Sequence, residues 1–425
     1  MNREHETDVL VVGAGPVGMM TALVLAENGV QVTLIDKEER TAAHSHACAL
    51  HPRSLRLLEQ IGLGPAVLAT GRRIDSIAFY EGESRQAELK LAKLSGTFPY
   101  LVVLPQSVLE NLLEQRLRRT KGIKVDWNHR LADLELNRSD VLAHVEKLGE
   151  SSKGYIVRDV DWEVQKSILT RAAFVVGADG SNSHVRQMLG IECKRIASPE
   201  TYAVYEFVSD GNYENELRMV LDDSTTNSFW PLAGNRCRWT LQVLDGEEFE
   251  DSHAKERTDV LLVEQAQDAT RLGQIREQIL RRAPWFHGTI TQLDWSVEVQ
   301  FESCLANEFG RGRCWLAGDA AHQTRPIGMQ SMNVGLAEAV DLADTLTQIL
   351  RNGASMDLLN AYNKERQAEW QKLLAQKEEF GSRNTGNSWM DRHYSKILSC
   401  VPVTGEDSTE LLKHVEAGVG EAVVV

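Results

Sequence analysis

Gly13, Gly15 and Gly18 stand in the spacing G-x-G-x-x-G. The first glycine permits a tight turn. The second lets the backbone approach a pyrophosphate, and the third lets a helix pack closely on the preceding strand. A phosphate at that turn meets the unpaired N–H groups and the positive dipole end of a helix. Asp36 follows at about the 20-residue distance at which an acid can bind the hydroxyls of an adenosine ribose. The intervening residues supply the elements that must position these groups. Residues 9–12 are an all-apolar, partly β-branched run that suits a buried parallel strand. Residues 19–28 read as a helix closed by Gly29, and residues 30–35 as a second strand that Asp36 ends. The pattern indicates a dinucleotide site and does not distinguish NAD from FAD.

Two later segments narrow the choice. Residues 174–186 form a strand that runs into a polar turn through Asp179 and Gly180. Residues 314–322 form another strand, ending at Gly318 and Asp319. The loop Pro326-Ile327-Gly328-Met329-Gln330-Ser331-Met332-Asn333 follows, then a helix expected from about 334 to 350, with Leu336, Val340, Ala343 and Leu346 at near-helical spacing. With these motifs in this order, the chain resembles the FAD-dependent aromatic hydroxylases, the p-hydroxybenzoate hydroxylase-like class A flavoprotein monooxygenases. Weaker echoes of that family lie at residues 50–55, 104–110, 229–234, 238–240 and 295–296, and the resemblance spans residues 8–350.

The resemblance implies that FAD occupies the glycine site. Gly13, Gly15, Pro16, Gly18, Asp36 and Lys37 are then candidates to hold it, with Arg53 and with His46, which stands where many relatives carry arginine. Gly318 and Asp319 would hold the ribityl chain, with Gln106 contacting the same region. Asp179 and Gly180 would support the cofactor and help NADH or NADPH engage. Pro326, Gly328, Ser331, Met332 and Asn333 would lie against the isoalloxazine, with the next helix aiming its dipole at the charge of reduced flavin. No second complete G-x-G-x-x-G exists, since Gly62-Leu63-Gly64 lacks the rest of the pattern. NADH or NADPH is therefore expected as a transient electron donor. The implied reaction is hydroxylation of an aromatic or polycyclic small molecule with O2 through a flavin C4a-hydroperoxide. The cofactor carries that chemistry, and no catalytic base is assigned. No metal site is expected, because no third ligand accompanies His44 and His46. Met329 and Ser331 depart from the family, which carries glycine at both places. Their side chains are expected to point away from the ring; the alternative is altered flavin mobility or oxygen access.

The expected fold is α/β: a Rossmann-like FAD-binding domain, an inserted mixed or antiparallel β-sheet substrate domain, and C-terminal helices. Residues 1–74, 100–190 and 300–350 are assigned to the first, 75–99 and 191–299 to the second, and 351–425 to a helical tail. Strand-like runs at 201–208, 216–221, 227–232 and 236–243 build the substrate sheet. Trp230, Phe229, Trp239 and Tyr205 are candidates to line the pocket, although strand alternation forbids Phe229 and Trp230 from sharing a face. Residues 253–282 and 358–379 read as helices, and residues 418–425 as a frayed end.

The chain has 425 residues and a formal net charge of -15, which argues against nucleic acid and anionic lipid as partners. No apolar run approaches the length of a membrane span, and residues 1–8 are charged rather than signal-like. The six cysteines show no regular spacing and are expected to be reduced thiols of a cytoplasmic enzyme. A monomer or homodimer is expected. Three rivals remain: a halogenase, disfavoured because no two tryptophans sit two residues apart; a reductase that never inserts oxygen; and a non-enzymatic subunit with structural FAD.

Overall fold

The apolar run ending at Val12 becomes a parallel strand at the centre of the first sheet. A computed structural model describes residues 5–40, 48–153, 159–246, 269–375 and 388–402. The sheet runs in the order Gly310–Arg311, Cys314–Leu316, Asp159–Gly177, His5–Val12, Val32–Ile35 and Val125–Asp126. The four neighbouring pairs from Cys314–Leu316 to Val125–Asp126 are parallel. Val141–Lys153 and His129–Leu136 extend Asp159–Gly177 as an antiparallel ribbon.

Among the described residues there are nine α-helices: α1 Pro16–Glu27, α2 Pro52–Gln60, α3 Gly64–Thr70, α4 Gln106–Arg119, α5 His184–Met188, α6 Ala269–Arg282, α7 Gln330–Asn352, α8 Asp357–Ala375 and α9 Ser388–Cys400. No charged residue enters α1 before Glu27, and the helix is buried from Gly18 to Leu25 against α4 and α7. Gly29, at φ +75, ends it with the left-handed residue that such a terminus favours.

The second sheet runs His322–Gln323, Ile290–Ala306, Cys193–Ser209, Arg236–Val243, Thr226–Pro231, Glu216–Leu221, Ser76–Glu81 and Ser84–Lys90. It is mixed, since Glu216–Leu221 pairs in parallel with Ser76–Glu81. The boundary expected at 299/300 falls inside the strand Ile290–Ala306. Three short strands, Ala49–Leu50, Leu101–Val103 and Arg72–Ile74, make a third sheet.

The two faces of the second sheet enter different cores. Phe229, Trp239 and Tyr205 are cross-strand neighbours and pack with Phe207, Phe286 and residues of α6. Trp230, Tyr202, Leu217 and Met219 take the opposite face and pack with Ile327, Met329 and the apolar side of α9. The expectations for residues 253–268, 376–379 and 418–425 lie outside the described residues.

One expectation is corrected. Cys193 and Cys304 form a disulfide between antiparallel neighbours, with Cα atoms 5.7 Å apart. The pairing register brings together two cysteines separated by 111 residues, which spacing alone conceals. Cys48, Cys237, Cys314 and Cys400 are buried and take no part in that disulfide. Disulfides persist mainly in oxidising compartments, so the thiol argument for a cytoplasmic location falls. Among the described residues, no helix is long and apolar enough to cross a membrane.

Candidate functional site

At the glycine turn the backbone leaves no room at two positions and opens at the third. Gly13 has φ +103, and a Cβ on it would run into the Ala178 carbonyl. A Cβ on Gly18 would strike the Gly13 carbonyl. Gly15, by contrast, has nothing within 4 Å of its side-chain position. It is the N-cap of α1, no side chain caps the helix, and Pro16 begins the first turn. Among the described residues the first turn of α1 thus has no side-chain cap and its N-cap carries no side chain, which suits an anion. Asp36 is fixed at the strand end, accepting from Ala14 N at 2.6 Å and Glu38 N at 2.9 Å. Lys37 is exposed, 3.7 Å from Glu38.

The two later motifs close on this turn. Asp179 accepts from Ser183 Oγ at 2.5 Å, His184 N at 2.7 Å and Val185 N at 3.1 Å, so its carboxylate shapes its own turn and caps α5. Gly180, at φ +78, lets the chain reverse there. Gly318 and Gly335 of α7 both press on Val17 of α1, and a Cβ on either would meet Val17 Cγ2 at under 3 Å (2.9 and 2.8 Å). Arg186 joins the two motifs, donating to Ala320 O at 2.7 Å and Ser181 O at 2.9 Å.

Glu338 lies beneath the second turn, fully buried, and accepts from Gly318 N at 2.8 Å, His322 Nε2 at 2.7 Å and Trp370 Nε1 at 3.0 Å. Burial pushes its carboxyl up, but His322 and these hydrogen bonds outweigh it, leaving the pKa below the ordinary carboxylate value. Asp319 is accessible to solvent, yet protein crowds it closely enough for desolvation to raise its pKa. Sequence reasoning missed Arg186 and Glu338. The only signal for Glu338 was a lone carboxylate inside the apolar stretch 334–340.

The loop before α7 is buried from Pro326 to Gln330. The helix starts at Gln330, four residues earlier than expected, and no side chain caps it. Its N-cap, Met329, has φ 49 and ψ 35, a left-handed conformation that itself reverses the chain. A Cβ on Gly328 would sit 2.7 Å from Ser399 O of α9. Asn333 is fully buried and uses its whole amide within the protein. Its Oδ1 accepts from His51 N at 2.8 Å and Ser54 Oγ at 2.7 Å, while its Nδ2 donates to Ala49 O at 2.9 Å and Met329 O at 2.7 Å. It therefore stitches the loop to α2 and offers no side-chain donor to a cofactor. Ser331 Oγ accepts from Thr324 N at 3.2 Å, and Met332 is half-buried. His51 packs at Gly328; burial pushes its imidazole down to about 3, with the Gly328 backbone opposing.

The remaining candidates divide. Gln106 opens α4 and donates to Glu110 Oε1 at 2.6 Å. Arg53 is engaged by acids of α8 and α7, Glu369 at 2.7 Å and Asp341 at 3.8 Å, and is not a free cation for a pyrophosphate. His46 lies outside the described residues. Of the four aromatic candidates, Trp230 alone packs with the loop residues Ile327 and Met329. Phe229, Trp239 and Tyr205 belong to the core under α6. On Trp230's side of the sheet lies a buried ion pair: Arg238 Nε donates to Glu206 Oε1 at 2.8 Å, and Trp295 Nε1 to Glu206 Oε2 at 2.6 Å. Beside it, burial pushes the Cys48 thiol up to about 11 against the opposing charge of Arg238. Among the described residues, no His, Cys, Asp and Glu cluster could hold a metal ion.

The family model described as FAD binding domain matches residues 6–377. Pentachlorophenol 4-monooxygenase of Sphingobium chlorophenolicum is 27% identical over 386 residues, covering 86% of this chain and 63% of that protein. Para-nitrophenol 4-monooxygenase of a Pseudomonas strain is 28% identical over 369 residues, covering 84% and 82%. The chain thus spans less than two thirds of the first of these relatives. The crystal structure of p-nitrophenol 4-monooxygenase from Pseudomonas putida aligns at a TM-score of 0.76 and 22% identity, over 98% of this chain and 100% of that one, and shares the fold.

Proposed function

The chain belongs to the FAD-binding domain family, and from that premise we propose that it is a flavin-dependent monooxygenase that hydroxylates an aromatic or polycyclic small molecule, using O2 and electrons from NADH or NADPH. The observation that carries this reading is the convergence of the glycine turn, the Asp179-Gly180 turn, the Gly318-Asp319 turn and the start of α7, tied together by Ala178, Val17 and Arg186. FAD fits what these residues present. The uncapped N-terminus of α1 beside Gly15 would take the pyrophosphate, and Asp36 the adenosine ribose. Asp319, accessible to solvent beside Gly318, would hold the ribityl hydroxyls, and the uncapped start of α7 would stabilise negative charge on the ring. Bound FAD would supply the electron transfer and oxygen activation; the protein binds, orients and excludes water.

The relatives named above act on substituted phenols by their names, and a phenolic substrate suits the site. Trp230, Tyr202, Met219 and Ile327 make an apolar, aromatic boundary, and the Arg238–Glu206 pair neutralises its own charge. The FAD-binding part would comprise residues 1–74, 100–190 and 300–350, and the sheet segments 75–99 and 191–299 would cover the substrate. A reductase that inserts no oxygen is the second reading, which Met329 and Ser331 in the loop before α7 keep open.

The deciding experiment follows reduction of the FAD-loaded protein by NADH and by NADPH without oxygen, with and without phenols. Air labelled with heavy oxygen is then admitted. A phenol that accelerates reduction and returns carrying one labelled atom supports the proposal. Reduction without labelled product moves the assignment to the reductase, and a protein that takes up no FAD removes both readings.

A further inference from the structure

We propose that Met329 sets the size of the aromatic substrate, as the side chain through which the loop before α7 closes on the face of the second sheet that bears Trp230. The inference rests on the monooxygenase reading. Three non-glycine residues among those described have positive φ: Asn128, Glu214 and Met329. Glu214 is exposed and Asn128 half-buried, whereas Met329 is apolar and 5% exposed. A left-handed backbone disfavours any residue with a Cβ, and glycine would adopt this one without strain. The turn is also held independently of the side chain: Met329 N donates to Pro326 O at 3.1 Å, and its carbonyl accepts from Asn333 Nδ2 at 2.7 Å. The backbone therefore has no need of methionine.

The side chain lies in the cluster formed by Trp230, Ile327, Trp389 and Met390. It fills the angle between the loop, the sheet and α9, whose Ser399 carbonyl lies against Gly328. An unbranched thioether adapts to an irregular space of this kind. A strained residue buried at a cofactor loop points to a use, and the use available here is to fill volume beside Trp230. Shortening Met329 would open that volume to a larger ring system.

The test titrates FAD-loaded wild type, M329L, M329A and M329G with phenol and with 2-naphthol, following the flavin absorbance. KM and kcat are measured with the same two compounds. Thermal unfolding of each loaded variant is the control, and M329A answers the question if M329G does not hold its fold. M329A and M329G are expected to shift the preference toward 2-naphthol by about tenfold or more, the range for a methylene in an apolar pocket. The shift should appear in Kd and in the ratio of kcat/KM for the two compounds, and M329L should keep the wild-type preference. An unchanged preference in every variant overturns the proposal while leaving the monooxygenase reading intact. If neither compound perturbs the flavin in any form of the protein, both fall together.

Discussion

The glycine turn and the loop before α7 are two solutions to one requirement: a tight reversal that starts a helix with no side-chain cap among the described residues. At the first, backbone does the work. Gly13 and Gly18 let carbonyls and helix come together where any side chain would collide, and Gly15 leaves the helix end bare. At the second, side chains do it. Asn333 binds four groups, His51 packs at Gly328, and Met329 takes a left-handed backbone with a buried thioether. The first end is set by residues adjacent in sequence. The second depends on segments separated by up to 284 residues.

The largest effect expected from this contrast is at the first end. G18A places a Cβ on the Gly13 carbonyl, so it should raise the FAD Kd by about 100-fold or more, roughly 2.7 kcal/mol, and lower the melting temperature. G15A is the discriminating partner. At φ -72 with open space around it, the added methyl is tolerated by the chain and intrudes only on what binds there. Its melting temperature without FAD should match wild type while FAD affinity falls about tenfold or more, about 1.4 kcal/mol. A G15A protein that binds FAD normally would remove the pyrophosphate from this turn.

At the second end, N333A removes the partner of the His51 N–H and of two carbonyls in a buried site, and leaves the Ser54 hydroxyl only the Asn333 carbonyl at 3.5 Å. Unsatisfied buried groups cost about 1–3 kcal/mol each, so a loss of about 3–5 kcal/mol is expected in denaturant unfolding. A loss under about 1 kcal/mol would show that the stitch is dispensable.

His51 adds a pH dependence at the same place. Its folded pKa, near 3, lies below the ordinary 6.5, so the native state keeps the ring neutral while the unfolded chain binds a proton. Its contribution is fully present above pH 6.5 and is lost as pH falls toward 3. Over that window wild type should lose up to about 1.4 kcal/mol per pH unit relative to H51L, measured by unfolding at a series of pH values. Parallel curves for the two proteins would refute the assignment.

The smallest effect separates the faces of the second sheet. F229L, a change of shape within the core under α6, should cost less than about 1.5 kcal/mol and leave phenol binding unmoved. W230F should alter phenol affinity. Equal effects of the two on phenol Kd would erase the distinction between the faces.

Much of the fold was legible because it is local. The order of strand, turn, helix and acid around Gly13 and Asp36 follows from spacing, and the strands at 216–221 and 236–243 appear where their composition places them. The start of α7 was read four residues late because Gln330 and Ser331 resemble loop residues and the chain reversal fell to a methionine. Arg53, a candidate cofactor contact, is also engaged by acids of α7 and α8, which sequence does not show.

By itself, the sequence determined the dinucleotide turn, the family motifs and the rule that Phe229 and Trp230 face opposite ways, since each depends on chain geometry over a few residues. The tertiary structure alone decided which of those faces meets the loop before α7, that Cys193 reaches Cys304, that Glu338 lies under Gly318, and that Met329 shares a buried cluster with Trp230. These are contacts between distant segments. They are set by strand register and by which helix covers which face, and neither is encoded in the spacing of nearby residues.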